Sequence, residues 1–271
     1  MKAVCYKEMS LFMKLLLMLC LIFIVPDIST AGKMTSPQDY GKVIINNYSD
    51  DAGLAPVVFE HWLHRAMFTC RLCHVDIGFA MEAEGTEINA DFNTKGLYCG
   101  ACHDGKRVFN NKIIFAACAD RTAGEEDRRC GRCHSYRMKV EKEHDFKTFT
   151  KKLPQKGLGS GIDWEEAEAK GLIKPVDSLE GISIKRSPLK ARDDFSIESK
   201  GSWMSDVIFS HNKHVSWNGC EICHPDIFQV KRGATKYTMI HIYSGEYCGV
   251  CHGKVAFPLK ECGRCHTKPV Q

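Results

Sequence analysis

Regular hydrophobic patterns in this chain are short and widely separated. Val57–Phe59 and Val207–Phe209 are runs of β-branched and aromatic residues, and each predicts a short strand. Asp163, with a glutamate three residues later, has the pattern of a helix N-cap and predicts a helix that continues to Lys170 and stops at Gly171. The pattern therefore predicts short elements separated by loops.

The longest apolar run lies near the N-terminus, from Leu15 to Val25, and its eleven residues are too few to span a bilayer well. Lysines precede the run, Pro26 breaks it, and Ser29–Ala31 has the small residues of a cleavage site. We interpret residues 1–31 as a secretory signal peptide, with an uncleaved anchor as the alternative. No other stretch is apolar enough to cross a membrane, so we expect no transmembrane span after cleavage.

The pentapeptide Cys-x-x-Cys-His occurs six times. The six read Cys70-x-x-Cys73-His74, Cys99-x-x-Cys102-His103, Cys130-x-x-Cys133-His134, Cys220-x-x-Cys223-His224, Cys248-x-x-Cys251-His252 and Cys262-x-x-Cys265-His266. Two thiols at this spacing can bind the two vinyl groups of one porphyrin as thioethers, and the adjacent histidine then ligates the iron. Zinc sites and disulfides also use paired cysteines, but neither requires a histidine after every pair. The motif therefore predicts six covalently attached haems c.

Composition adds little beyond the haems. The formal charge of +4 leaves out the haem propionates, which make the holoprotein acidic, so we expect no nucleic-acid partner. Thirteen cysteines remain after signal cleavage, and twelve of them belong to the motifs. Cys118 is left over, and we expect it to be a small buried apolar residue, with an intermolecular disulfide or a reactive thiol as alternatives.

The chain contains an internal duplication. The segments from Val57 to His64 and from Val207 to His214 are similar, and in both the last histidine precedes the next cysteine by six residues. Both copies continue through Tyr-Cys-Gly-x-Cys-His and close on Cys-Gly-Arg-Cys-His. They differ by an insertion between His103 and Cys130, which we interpret as an exposed loop. The predicted organisation is a signal peptide (1–31), a first three-haem domain (32–150), a linker or strap (151–200) and a second three-haem domain (201–271).

Six histidines remain after the motifs are subtracted. An iron that only passes electrons normally has two axial ligands, so each haem needs a second ligand besides the histidine of its motif. The candidates are His61, His64, His144, His211, His214 and His241.

Phe-x-His-x-x-His shortly before Cys-x-x-Cys-His resembles the class III multihaem cytochromes c, notably the three-haem cytochrome c7 type. The resemblance covers residues 54–135 and 201–268. It implies that the first histidine of each pair serves the first haem and the second serves the second haem. The implied ligand pairs are His61 with His74, His64 with His103, His211 with His224, and His214 with His252.

The third haem of each copy is less determined. His241 lies near the position where this family places its last distal histidine, and Met239, two residues away, is the alternative. In the first copy Phe92 occupies the position of His241. His144 is then the candidate partner of His134, Met81 is a weaker one, and an open iron is the remaining alternative.

Porphyrin faces would supply most of the apolar interior of such small copies. We therefore predict a mostly irregular fold with short α-helices and minimal β structure, whose cores are the haems. The resemblance implies an electron carrier without catalytic residues, which passes electrons between redox partner proteins such as inner- and outer-membrane cytochromes in anaerobic respiration. The expected location is the periplasm, or alternatively the cell exterior or outer-membrane surface. Alternative functions are a reductase with an open iron at the His134 haem, or a subunit of an extracellular cytochrome filament.

Overall fold

The structure is a computed structural model. It describes residues 36–118, 130–136, 145–184, 186, 192–201 and 203–268. The predicted signal peptide and His144 lie outside the described residues. The part of the chain from Ser36 onward forms one compact unit.

The elements are short and numerous. The helices are α1 (His61–Met67), α2 (Ala90–Thr94), α3 (Phe146–Thr150), α4 (Trp164–Ala169), α5 (His211–Asn218) and α6 (Met239–Tyr243). The strands are β1 (Lys42–Ile45), β2 (Val57–Glu60), β3 (Val108–Phe109), β4 (Lys112–Ile113), β5 (Phe195–Ile197), β6 (Asp206–Phe209) and β7 (His266–Lys268). Four 3₁₀ turns (Pro37–Asp39, Tyr98–Ala101, Tyr247–Val250, Cys262–Arg264) and one π-helical turn (Leu72–Ile77) complete the set. The prediction of a mostly irregular fold with short helices and minimal β structure is confirmed.

The strands form three small antiparallel sheets. β1 pairs with β2, β3 pairs with β4, and β6 lies between β5 and β7. The two strands predicted from the sequence are confirmed as β2 and β6. β2 runs directly into α1, and β6 is separated from α5 by Ser210 alone, so each strand fixes the start of a helix that carries two of the candidate histidines.

A close backbone contact recurs in both copies. α2 packs on the turn Tyr98–Ala101, and α6 packs on the turn Tyr247–Val250. A Cβ added at Gly100 would lie 1.8 Å from the carbonyl oxygen of Asn93, and one added at Gly249 would lie 1.9 Å from that of Ile242. Only glycine allows this approach, which explains the glycine of the Tyr-Cys-Gly sequence in each copy.

The insertion in the first copy is not entirely a loop. Its beginning forms the β3–β4 hairpin, in which Asn110 and Asn111 adopt left-handed conformations with φ of +48° and +61°. Asparagine tolerates that region, and two such residues in a row suit a two-residue hairpin. The loop interpretation is therefore wrong for this part, and the charged stretch that follows lies outside the described residues.

Cys118, at the end of the described part of the insertion, is exposed. The expectation of a buried residue is wrong. The chain turns at Cys118 with a φ of +53°, and the side-chain amide of Asn93 donates to its sulfur at 3.7 Å. None of the cysteines in the described ranges forms a disulfide.

The connecting segment holds a conventional hydrophobic core, which we call the strap cluster. Its buried members are Trp62, Ala66, Phe146, Leu153, Ile162, Trp164, Ala167 and Ile173. Trp62 and Ala66 come from α1 of the first copy, and Trp217 of the second copy packs against the cluster. The strap therefore contacts both copies. The extent given to it from the sequence, residues 151–200, stays a prediction.

The predicted helix in this segment is confirmed as α4. The Asp163 carboxylate accepts a hydrogen bond from the Glu166 N–H at 3.1 Å, and the chain leaves the helix at Gly171 with a φ of +66°. Nowhere in the described ranges is there a helix long and apolar enough to cross a bilayer.

Candidate haem-binding sites

A continuous cavity of about 3900 Å³ runs through the unit and is lined by residues of both copies. A pocket for one small molecule has roughly 300–1,000 Å³, so this cavity has the volume of several such sites. Eleven of the twelve motif cysteines line it, all except Cys130. The cavity thus fits several macrocycles attached through these thiols.

His61 and His74 face each other in a geometry that suits one metal ion. Their rings are nearly parallel, with 5° between the planes, and the ring centroids are 6.5 Å apart. An imidazole nitrogen binds a metal at about 2 Å, so two imidazoles on opposite sides of one ion have centroids about 6 Å apart. The two rings can therefore ligate one iron between them.

Two further predicted pairs have the same separation. The centroids of His64 and His103 are 6.3 Å apart, and those of His214 and His252 are 6.2 Å apart, with the rings inclined by 53° and 62°. His211 and His224 are not among the contacting ring pairs of the described residues. The structure thus brings three of the four predicted pairs together.

Backbone carbonyls fix the ring orientation of nine histidines, each through the Nδ1 atom. The donor and acceptor residues are His61 and Gly41, His64 and Glu60, His74 and Phe79, His134 and Ala55, His211 and Asp193, His214 and Ser210, His224 and Phe228, His252 and Phe257, and His266 and Ser205. A carbonyl oxygen only accepts, so Nδ1 carries the hydrogen and Nε2 keeps a lone pair for a metal.

Burial keeps several of these rings neutral. It lowers the pKa of His61, His64 and His252 to about 4, and it also lowers the pKa of His103, whose ring packs on Phe115. A neutral imidazole is the form that binds a metal.

Several buried motif thiols are also uncharged. Burial raises the pKa of Cys73, Cys99 and Cys251 to about 12. A protonated thiol has the hydrogen needed to add across a vinyl double bond and form a thioether. The buried cysteines therefore suit covalent attachment to a porphyrin.

The two candidate ligands of the last haem differ in orientation. The N–H of Thr238 donates to Nδ1 of His241 at 3.3 Å, as part of a capping box at the start of α6. A backbone N–H only donates, so the neutral ring of His241 carries its hydrogen on Nε2, opposite to the nine histidines above. Met239 lines the cavity together with His266, whereas His241 is absent from the described residues that line it. Met239 is therefore the candidate that lies on the cavity wall, and the choice between His241 and Met239 stays a prediction.

The first copy has no histidine or methionine at the positions that correspond to His241 and Met239. Asn89 caps α2 by accepting from the Phe92 N–H, as Thr238 caps α6 by accepting from the His241 N–H. Phe92 therefore matches His241, and Ala90 matches Met239. Met81 lines the cavity.

Paired thiols followed by histidine, with facing imidazoles in one cavity, define a multihaem c-type cytochrome. A family model described as "Cytochrome c7 and related cytochrome c" matches residues 57–135 and 207–267, which is more than half of the chain. The chain belongs to this family. It is therefore a multihaem cytochrome that binds haem c covalently and transfers electrons.

Solved structures give similarities of varying extent. A "c7-type three-heme cytochrome domain" is 37% identical over 28% of this chain and 95% of its own, with a TM-score of 0.26. The C-terminal hexaheme fragment of GSU1996 is 23% identical over 86% of this chain and 99% of its own, with a TM-score of 0.25. A dodecaheme cytochrome c is 24% identical over 87% of this chain and 75% of its own, with a TM-score of 0.26. No curated protein matches the chain.

Proposed function

We propose that this chain is an exported six-haem cytochrome that passes electrons between redox partner proteins in anaerobic respiration. The observation that carries the proposal is the set of facing imidazole rings at 6.2–6.5 Å. An iron held between two such ligands has no position for a substrate, so the residues around it serve electron transfer.

The chain's own residues have three tasks in this function. The twelve motif cysteines attach six haems, the six motif histidines bind one side of each iron, and a second side chain closes the other side. We assign His61, His64, His211 and His214 to the second sides of the first two sites in each copy, and Met239 to the site of His266. When bound, each haem supplies a one-electron couple between ferric and ferrous iron.

The proposals of export and of redox partners rest on the sequence alone. The apolar run ahead of Ala31 has the pattern of a signal peptide, and a periplasmic location would give access to inner- and outer-membrane cytochromes. The cell exterior is the alternative location.

A haem count tests the proposal directly. Protein made in a host that matures c-type cytochromes is denatured, and its mass is compared with that of the bare polypeptide. We expect six retained haems, and five in the double variant Cys262→Ala/Cys265→Ala. A Cys118→Ala variant is the matched control and should keep all six. A denatured chain at the polypeptide mass would exclude covalent haem altogether.

A reductase is the second candidate because the first copy has Ala90 and Phe92 at the positions of Met239 and His241. The site of His134 then has no partner from α2. An electron paramagnetic resonance spectrum of the oxidised protein separates the two functions, because an iron without a second strong ligand is high-spin. Six low-spin centres are expected for a pure carrier, and a high-spin ferric signal would favour the reductase.

A further inference from the structure

The two copies meet beside a pair of candidate haem ligands. Arg65 of α1 donates a hydrogen bond to the carbonyl oxygen of Val255, three residues after His252. Gly41, whose carbonyl accepts from His61, also lies against Val255, since a Cβ added at Gly41 would be 3.5 Å from Val255 Cγ1. The first site of the first copy therefore adjoins the second site of the second copy.

Arg65 carries a positive charge into this junction. Its guanidinium carbon lies 5.1 Å from the ring centroid of Trp164 and 5.7 Å from that of Trp217. Both distances suit cation–π contacts, which stabilise a cation that has lost its water. None of the ion pairs within the described ranges includes Arg65. Its charge is therefore not cancelled by a carboxylate of the described chain.

The charge of Arg65 lies near both ligand sets. Arg65 is one turn after His61 on α1, and it donates to the carbonyl oxygen of Val255, three residues after His252. The equivalent position of the second copy is Val215, so the duplication does not repeat the charge. The asymmetry places the Arg65 cation on the first copy's side of the contact, with no counterpart at Val215.

We propose that the Arg65 charge raises the reduction potentials of the two haems held by His74 and His252. These are the two haems between which electrons pass from one copy to the other. Reduction adds one electron to each iron, and a nearby buried cation favours the form that has gained it. This inference rests on the proposed function, because it requires haem at both sites.

Single variants test the proposal through the potentials of individual haems. In Arg65→Met the charge is lost while the side chain stays long and apolar, and in Arg65→Lys the charge remains. Arg232→Met is the matched control, because Arg232 also lies over an aromatic ring, Phe195 at 5.0 Å, but is exposed. A redox titration followed by nuclear magnetic resonance resolves the haems one by one.

A unit charge at about 10 Å, at an effective dielectric of about 20, changes an equilibrium on the order of tenfold. Arg65→Met should therefore lower the ferrous-to-ferric ratio at the His74 and His252 haems about tenfold at fixed potential, which is about 59 mV for a one-electron couple. Arg65→Lys should keep the reduction potentials of both haems close to those of the wild type. Arg232→Met should leave both potentials unchanged, because water screens the charge of Arg232.

Two results would overturn the role of Arg65: unshifted potentials at both haems in Arg65→Met, or an equal shift at all haems. The haem count is measured first in each variant, so a wild-type protein with fewer than six haems points to failure of the proposed function instead. If Arg65→Met does not mature, Arg65→Gln, which keeps a donor for Val255, gives the same comparison with the charge removed.

Discussion

At the scale of single residues, backbone carbonyls decide which ring nitrogen of each histidine is available to a metal. The nine histidines that donate from Nδ1 keep Nε2 available to a metal, and their acceptors are either close in sequence or on a neighbouring segment of the chain. His241 has the opposite hydrogen-bond polarity because it caps α6. Its side chain therefore stabilises a helix start, and for this reason we propose the thioether of Met239 for the site of His266.

Substitution of Met239 and of His241 shows which of the two side chains ligates the iron and which one only caps the helix. Met239→Ala should abolish the long-wavelength absorption band of a thioether–ferric haem and lower the potential of one haem, since a methionine ligand raises it. His241→Ala should keep both the band and the potential, and should cost only the capping contact. The measurement is an absorption spectrum with a redox titration. Loss of one low-spin centre in His241→Ala, with Met239→Ala unaffected, would assign the ligand to the histidine.

At the scale of elements, α2 and α6 each pack on the cysteine turn that follows them at one glycine. The close approach of α6 to the turn Tyr247–Val250 places Gly249 against the backbone of Ile242, and α2 repeats the contact in the first copy. Backbone atoms cannot move aside as a flexible side chain can. The position of the cysteine pair relative to its helix is therefore fixed by the absence of a Cβ.

Gly249→Ala should consequently destabilise the holoprotein. Overpacking typically costs about 1–3 kcal/mol, and the distance of 1.9 Å to a backbone oxygen suggests a value at the upper end. The free energy of unfolding is measured in guanidinium chloride. Gly263→Ala is the matched control in an equivalent Cys-Gly-x-Cys-His motif, because nothing lies within 4 Å of its added Cβ. Equal stability of the two variants would contradict the role of the close contact.

Local patterns predicted the elements that depend on neighbouring residues, and missed those that depend on packing. The apolar runs before His61 and His211 gave β2 and β6, and the Asp163 cap gave α4. The β3–β4 hairpin was missed, because its two-residue strands are too short to give a period. Cys118 was expected in the interior on composition alone, whereas a left-handed turn leaves it exposed.

The same distinction holds for the haem sites. The resemblance carried by the repeated histidine pair implied His61 and His74 as partners, and the structure places their rings facing each other. The expectation of His241 ahead of Met239 rested on where the resembled family places its last distal histidine, and it stays a prediction. Position along the chain does not report the direction of a side chain. The direction of the His241 side chain depends on the capping box, which consists of two hydrogen bonds between Thr238 and His241 at the start of a five-residue helix.

At the scale of the whole molecule, the strap cluster is a conventional core beside a cavity suited to haems. It contains residues of α1, the strap and, at its edge, the second copy. Attachment to porphyrins organises each copy, but the strap cluster has no cysteine pair of its own. Its stability must therefore come from apolar burial, which ordinarily scales with the area removed from water.

Truncation of a buried residue of the strap cluster should accordingly lower the stability of the protein without loss of haem. Leu153 is 8% exposed and belongs to the cluster, so Leu153→Ala should lower the free energy of unfolding by about 2–5 kcal/mol. Leu172→Ala is the control on the same strap, because Leu172 is 49% exposed and its truncation should change stability by about 0.5 kcal/mol at most. Unfolding in guanidinium chloride is followed by far-ultraviolet circular dichroism, and the mass of each variant reports its haems. A Leu153→Ala protein as stable as Leu172→Ala would mean that the haems alone hold the two copies together.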